Sequence, residues 1–131
     1  MCRFILTILG CTIYKAICIQ VNVSGETSKS GVDAQDAEIL ATEVQDLPGL
    51  HLRGIMGIPA MTTDVNEQRQ AFSTLALIYQ QLRKTHGSID TLSMGMSGDM
   101  EAAIAEGSTM VRIGTAIFGK RQNRKPEITN E

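Results

Sequence analysis

The sequence predicts an α/β fold of parallel strands joined by helical crossovers. Short β-branched, apolar runs alternate with helix-period segments in the order β-α-β-α-β-α-β. No hairpin signal interrupts that order, and the strands are nearly all apolar, as strands covered on both faces are. Four such units make half of an eight-stranded (β/α)8 barrel, which takes about 200–250 residues when complete. The pattern alone fits both that half and a small open sheet.

The first strand is Ala16–Val23, "AICIQVNV", with Gln20 and Asn22 alternating near its end. "SGETSKSGVD" follows as a loop dense in Ser, Gly and Thr. Asp33 is placed to cap a helix reaching about Gln45, with Ala34, Ala37, Ile39, Leu40, Ala41 and Val44 as its apolar members. Pro48 and Gly49 end it. The second strand is His51–Pro59, where Gly54 and Gly57 leave room for a close neighbour. A long helix, about Val65–Thr85, repeats Phe72, Leu75, Ala76, Tyr79 and Leu82 at three- and four-residue steps. "TLSMGMS" is the third strand and its exit, "GDMEAAIAEG" a compact helix closed by Gly107, and "TMVRIG" the fourth strand. "TAIFGKR" begins a last turn, and the tail is polar.

At 131 residues the chain is one domain, and 43% hydrophobic with 20% charged content is ordinary for a globular protein. Trp is absent and aromatics are 4%, so the core is aliphatic. A net charge of −2 gives no electrostatic reason to expect nucleic acid or an acidic membrane as partner. Cys2, Cys11 and Cys18 fit no zinc spacing, and an odd count in one apolar segment argues against a disulfide framework. Reduced thiols in a cytoplasmic protein are the expectation. Arg3 followed by the run Phe4–Tyr14 resembles a short signal peptide, but Lys15 interrupts it before the ~20 residues a membrane span needs. A misplaced or truncated start of a cytoplasmic chain is the preferred reading of residues 1–15.

Chemistry concentrates in "LSMGMSGDMEAAIAEGSTMVRIGTAIFG", Leu92–Gly119. Two Gly-rich turns each follow an apolar run, and each offers backbone N–H groups and a hydroxyl: Ser97 with Gly98, then Thr115 with Gly114. In the plain reading Ser97 or Asp99 caps the helix, with Glu101 in its first turn. In the sharper one, two consecutive strand ends hold a phosphate, as loops after the last strands of β/α barrels do. Arg112 lies inside the apolar run before the second turn, so its guanidinium must find a partner. Either a carboxylate at the strand end or a ligand ring atom beside the phosphate would serve.

The same stretch closely resembles the C-terminal signature of the pyridoxal phosphate (PLP) homeostasis proteins, single-domain relatives of the alanine racemase N-terminal barrel. "IQVNVSGETSKSG" and "LPGLHLRGIMGIPA" match that family in the same order, over about residues 16–121. The resemblance implies the C-terminal half of a (β/α)8 TIM-type barrel, about its fifth to eighth strands. It implies a PLP phosphate held by Ser97, Gly114 and Thr115. Arg112 would stand near the pyridine nitrogen, as the Arg of the related "VRPG" motif does in alanine racemases, and would weaken the cofactor as an electron sink. Residues 1–15 then form an unmatched apolar segment and residues 122–131 a polar tail.

Family members are nearly twice this long, and their Schiff-base lysine lies on the first barrel strand, in the half without a counterpart here. Of Lys15, Lys29, Lys84, Lys120 and Lys125, Lys29 stands in the "SKSG" loop, as a solvated loop residue or a replacement. Half a barrel is expected to leave two edges unpaired and one apolar sheet face uncovered, to be completed by a second copy or a separate N-terminal half.

Three functions compete. The first is non-catalytic binding of PLP in intracellular homeostasis. The second is a fragment without autonomous function. The third is a racemase, which needs the Schiff-base lysine and an opposing Tyr. Tyr14 falls in the unmatched segment, Tyr79 on a packed helix face, and His51 and His86 in surface loops by this reading. Met56, Met94 and Met96 are core filler or cofactor contacts. Lys120, Arg121, Arg124 and Lys125 form a solvated basic tail or a weak second anion site. No feature suggests a metal.

Overall fold

The computed structural model describes residues 4–7, 12–25 and 30–120, with only the backbone of residues 4–7 and 12–14. Lys29, Cys2, Cys11, Arg121, Arg124 and Lys125 lie outside the described residues. Strands β1 (Phe4–Thr7), β2 (Thr12–Asn22), β3 (Val32–Asp33), β4 (Leu50–Gly57) and β5 (Thr91–Ser93) form one sheet in the order β1-β2-β4-β5, with β3 also on β2. The connections through helices α1 (Ala37–Gln45) and α2 (Val65–Thr85) join parallel strands, as expected of an α/β chain.

The N-terminal end departs from the expected all-parallel order. β1 pairs antiparallel with β2, Phe4 opposite Lys15 and Thr7 opposite Thr12, so the described part of the N-terminal segment adds an antiparallel strand. β3 pairs with Val21 and Asn22 on the side of β2 away from β4. The outer edge of β2 is therefore occupied at both ends and is not the bare edge expected.

α2 forms where the pattern put it. Asp64 accepts the N–H groups of Asn66 and Glu67 at 2.8 and 3.3 Å, capping the first turn. Its apolar stripe of Phe72, Leu75, Ala76, Tyr79 and Leu82 is buried against the sheet. Each of the larger side chains contributes roughly 1.5–3 kcal/mol by leaving water. α1 starts three residues later than expected, with Asp36 and not Asp33 at the cap position, and Ile39 of its expected apolar face is exposed. Asp33 is spent in β3, and its carbonyl accepts the Asp36 N–H at 3.0 Å instead of a side-chain cap forming.

The face opposite the helices is mixed and polar, not apolar. Ile17, Ile19 and Val21 of β2 face the helices, so Cys18, Gln20 and Asn22 fall on the other side. On β4 the register slips between Ile17 and Cys18, leaving Arg53 as the extra residue. This bulge keeps Leu52 and Ile55 on the core side while Arg53 and Met56 face away. Gly54 sits in the bulge against β5, where a Cβ would lie 1.7 Å from the Thr91 carbonyl oxygen. Gly57 would strike Leu75 at 2.4 Å, so both glycines serve close packing as their spacing suggested.

The expected fourth strand is not a regular one. Residues 109–113 follow β5 through a single parallel bridge, Ser93 to Met110, continued by Arg112 N–H to the Gly95 carbonyl at 2.9 Å. Helix α3 (Met100–Ala105) and a four-residue turn of helix, α4 (Thr115–Phe118), complete the chain. His86 is buried and not in a surface loop: its Nδ1 donates to Gln45 Oε1 at 2.5 Å, and its Nε2 is 3.3 Å from Glu38 Oε1. His51 is exposed on β4. Tyr79 is packed as expected, beneath the Arg83 guanidinium 5.5 Å away.

Candidate functional site

A groove of about 1380 Å³ opens beyond the carboxyl ends of β4 and β5. That end of a parallel sheet is where ligands bind in α/β folds. Its walls come from three consecutive loops: Met61–Val65 after β4, Met96–Asp99 after β5, and Arg112–Thr115 after the bridged segment. Ser97 from one loop and Arg112, Gly114 and Thr115 from the next all line it.

The first turn is built by Gly95 and Asp99. Gly95 has φ +95, and a Cβ there would meet Ala103 at 2.5 Å, so the chain can bend off β5 only at glycine. Asp99 occupies the cap position of α3 without bonding its N–H groups. Its Oδ1 accepts the Met96 N–H at 2.6 Å and closes the turn from outside. Neither Ser97 nor Asp99 caps α3, so the plain capping account of these residues does not hold.

Ser97 reaches across instead. Its Oγ accepts the Ala116 N–H at 3.3 Å, which locks the first turn to the second. Among the described residues, the N–H groups of Ser97, Gly98, Gly114 and Thr115 have no partner. Unpaired backbone N–H groups beside two hydroxyls on one groove are the donor types that anion-binding turns use. α3 and α4 are six and four residues long, so these individual donors matter and a helix dipole does not.

Arg112 is half-buried on the groove wall and, among the described residues, pairs with no carboxylate. Its Nη2 donates to the Gly57 carbonyl at 3.0 Å and its Nη1 lies 3.5 Å from Ser93 Oγ. Partial burial lowers its pKa and the nearby Asp99 charge opposes that shift; the guanidinium stays charged. It spans the ends of β4 and β5 as a fixed cation on the groove wall. Met94 is wholly buried core, whereas Met96 lines the groove. Sequence reasoning missed Thr62, Thr63 and Gln68 on the opposite wall, although the "MTTDV" loop after a strand was a visible signal. It also left Lys120 in the tail cluster, whereas Lys120 lines the groove. A smaller hollow of about 250 Å³ lies at the end of β2, beside Gln20, Asn22 and Ser30.

Residues 14–122 match the family model described as alanine racemase, N-terminal domain. The chain belongs to that family. Within it, the chain is 57% identical over 105 residues to the pyridoxal phosphate homeostasis protein of Vibrio cholerae, covering 80% of this chain and 44% of that one. A structure from Bifidobacterium adolescentis superposes with a TM-score of 0.76 at 43% identity, over 80% of this chain and 43% of its own. PipY of Synechococcus elongatus, solved with PLP bound, gives a TM-score of 0.67 at 28% identity over 79% of this chain and 49% of its own. The chain thus spans less than half the length of the curated relative it matches. Among the described residues no helix is long and apolar enough to cross a membrane, and no cluster of ligating side chains could hold a metal ion.

Proposed function

We propose that this chain carries the phosphate side of a PLP site and acts, without turnover, in intracellular PLP homeostasis in the cytoplasm. The observation that carries this reading is the bond from Ala116 N–H to Ser97 Oγ, which brings two Gly-rich turns together over four unpaired N–H groups. The residues fit the group. A phosphate takes the cradle of Ser97, Gly114 and Thr115, and the guanidinium of Arg112 takes an unprotonated ring nitrogen. When bound, PLP supplies an electrophilic aldehyde and an aromatic electron sink. A permanently charged Arg at the ring nitrogen keeps it unprotonated and restrains that sink, which suits holding the cofactor over catalysis. Racemisation also needs an opposing base, and Tyr79 and His86 are both packed in the core.

By this reading the chain corresponds to the fifth to eighth strands of a (β/α)8 barrel. The polar face of Gln20, Asn22, Arg53 and Ser93 then represents barrel interior, completed by a second copy or by a separate N-terminal half. The short span against the relatives supports a second reading, a fragment that depends on such a half for any function. Calorimetric titration with PLP and with pyridoxal separates these. Saturable binding of PLP at least tenfold tighter than pyridoxal supports the cradle; equal affinity, or no binding of either, refutes it for this chain.

A further inference from the structure

Resting on the PLP reading above, we propose that Lys120 is the amine of this chain that bonds covalently to the aldehyde of a phosphate-bearing pyridoxal. Of the described lysines, Lys15, Lys84 and Lys120, only Lys120 lines the groove that holds Ser97, Gly114 and Thr115. Lys15 sits at the opposite end of the sheet, next to the Gly49 carbonyl before β4. Lys84 lies in the last turn of α2.

The backbone places Lys120 one helical turn from the cradle, on the same groove. The Gly119 N–H bonds the Thr115 carbonyl at 3.0 Å, closing the turn of α4 that starts at the cradle, and Lys120 follows directly. Among the described residues nothing holds its ammonium group in an ion pair. Ligand chemistry sets the same requirement. The phosphate-bearing arm and the aldehyde of PLP stand on adjacent ring carbons, while the ring nitrogen lies across the ring from the aldehyde. With the phosphate in the cradle, the reacting amine must be beside the cradle and the ring-nitrogen donor away from it. Lys120 and Arg112 are separated in that sense: Arg112 reaches back to Gly57 and Ser93 at the strand ends.

The step balances without an added reactant. The neutral Lys120 Nζ adds to the aldehyde carbon, the carbonyl oxygen is protonated and leaves as water, and a C=N bond remains.

The test uses the full chain, PLP with borohydride reduction, peptide mapping by mass spectrometry, and pyridoxine 5′-phosphate, which lacks the aldehyde, as competitor. The expected result is a stoichiometric adduct on Lys120 that falls at least tenfold with excess pyridoxine 5′-phosphate and disappears in Lys120→Arg. Trapping on Lys29 or Lys84, or trapping on Lys120 that the competitor leaves unchanged, overturns the assignment while leaving the phosphate cradle intact. Failure of the wild-type chain to bind pyridoxine 5′-phosphate at all overturns both.

Discussion

Replacing Gly54 by alanine tests the geometry that positions the site. The added Cβ would lie 1.7 Å from the Thr91 oxygen and 2.6 Å from its carbonyl carbon, where ordinary contact begins at 3.4 Å. The obstacle is backbone, so no side chain can swing aside. β4 and β5 must separate locally by about 1.7 Å of a strand spacing that is normally ~4.8 Å. That movement breaks the Asp90 N–H bond to the Arg53 carbonyl, 2.8 Å long, and the pairing of Gly54 with Thr91. Two lost backbone bonds at ~1 kcal/mol each, with overpacking strain of ~1–3 kcal/mol, total about 3–5 kcal/mol. For a domain stable by ~5–15 kcal/mol this is a large share. Gly87→Ala is the control, since a Cβ there meets nothing within 4 Å. Urea unfolding followed by circular dichroism should place the Gly54→Ala midpoint at least ~1 M below that of Gly87→Ala. Midpoints within ~0.3 M of each other would refute the close approach of β4 and β5.

Three further outcomes are expected. Ser97→Ala removes the acceptor for Ala116 N–H and a phosphate donor, lowering stability by ~1 kcal/mol and weakening PLP about tenfold, read by urea unfolding and calorimetry. The bidentate bond from Arg53 holds the Asp90 carboxyl below its usual range, so its contribution is present above the unfolded value of ~3.9 and lost as pH falls through the folded one. Because both side chains are substantially exposed, Asp90→Asn should shrink the drop in thermal midpoint between pH 5 and pH 3 by only the few tenths of a kcal/mol (~0.2–1) of a surface pair. His86→Ala empties a buried site at the junction of α1 and α2 and removes its contacts to Gln45 and Glu38, and should cost ~2 kcal/mol in urea unfolding, where an exposed loop histidine would cost almost nothing.

Where local signals agreed, the sequence was legible. α2 combines a capping Asp64, an uninterrupted apolar stripe and a clear stop, and its bounds follow from those alone. That Ser97, Gly114 and Thr115 would share one groove was legible for a similar reason: glycine with a hydroxyl neighbour at two successive strand ends is a local pattern. The misreadings depended on distant partners. Asp33 looks like a cap until β3 pairs it with β2. The polar "THGSID" loop gives no hint that His86 is buried, because its burial is supplied by Glu38 and Gln45, far back in the chain. The antiparallel pair of β1 and β2 has no Asn-Gly or Asp-Gly turn to announce it. The polar inner face was half visible in the alternation of Gln20 and Asn22, and the bulge at Arg53 hides its continuation on β4.

The strand laid on the outer side of β2 has a kinetic meaning. Any incoming chain that would add a strand at Thr12–Lys15 competes with a tethered occupant. A strand joined to its partner in the same chain meets it at an effective concentration of roughly millimolar, far above that of a free protein in a cell. On the proposed reading, a complementary half must therefore either displace Phe4–Thr7 at that border or begin from the opposite one, beyond β5, where residues 109–113 are held by one bridge and a few backbone bonds. The two borders of the sheet are unequal in what an added strand must displace.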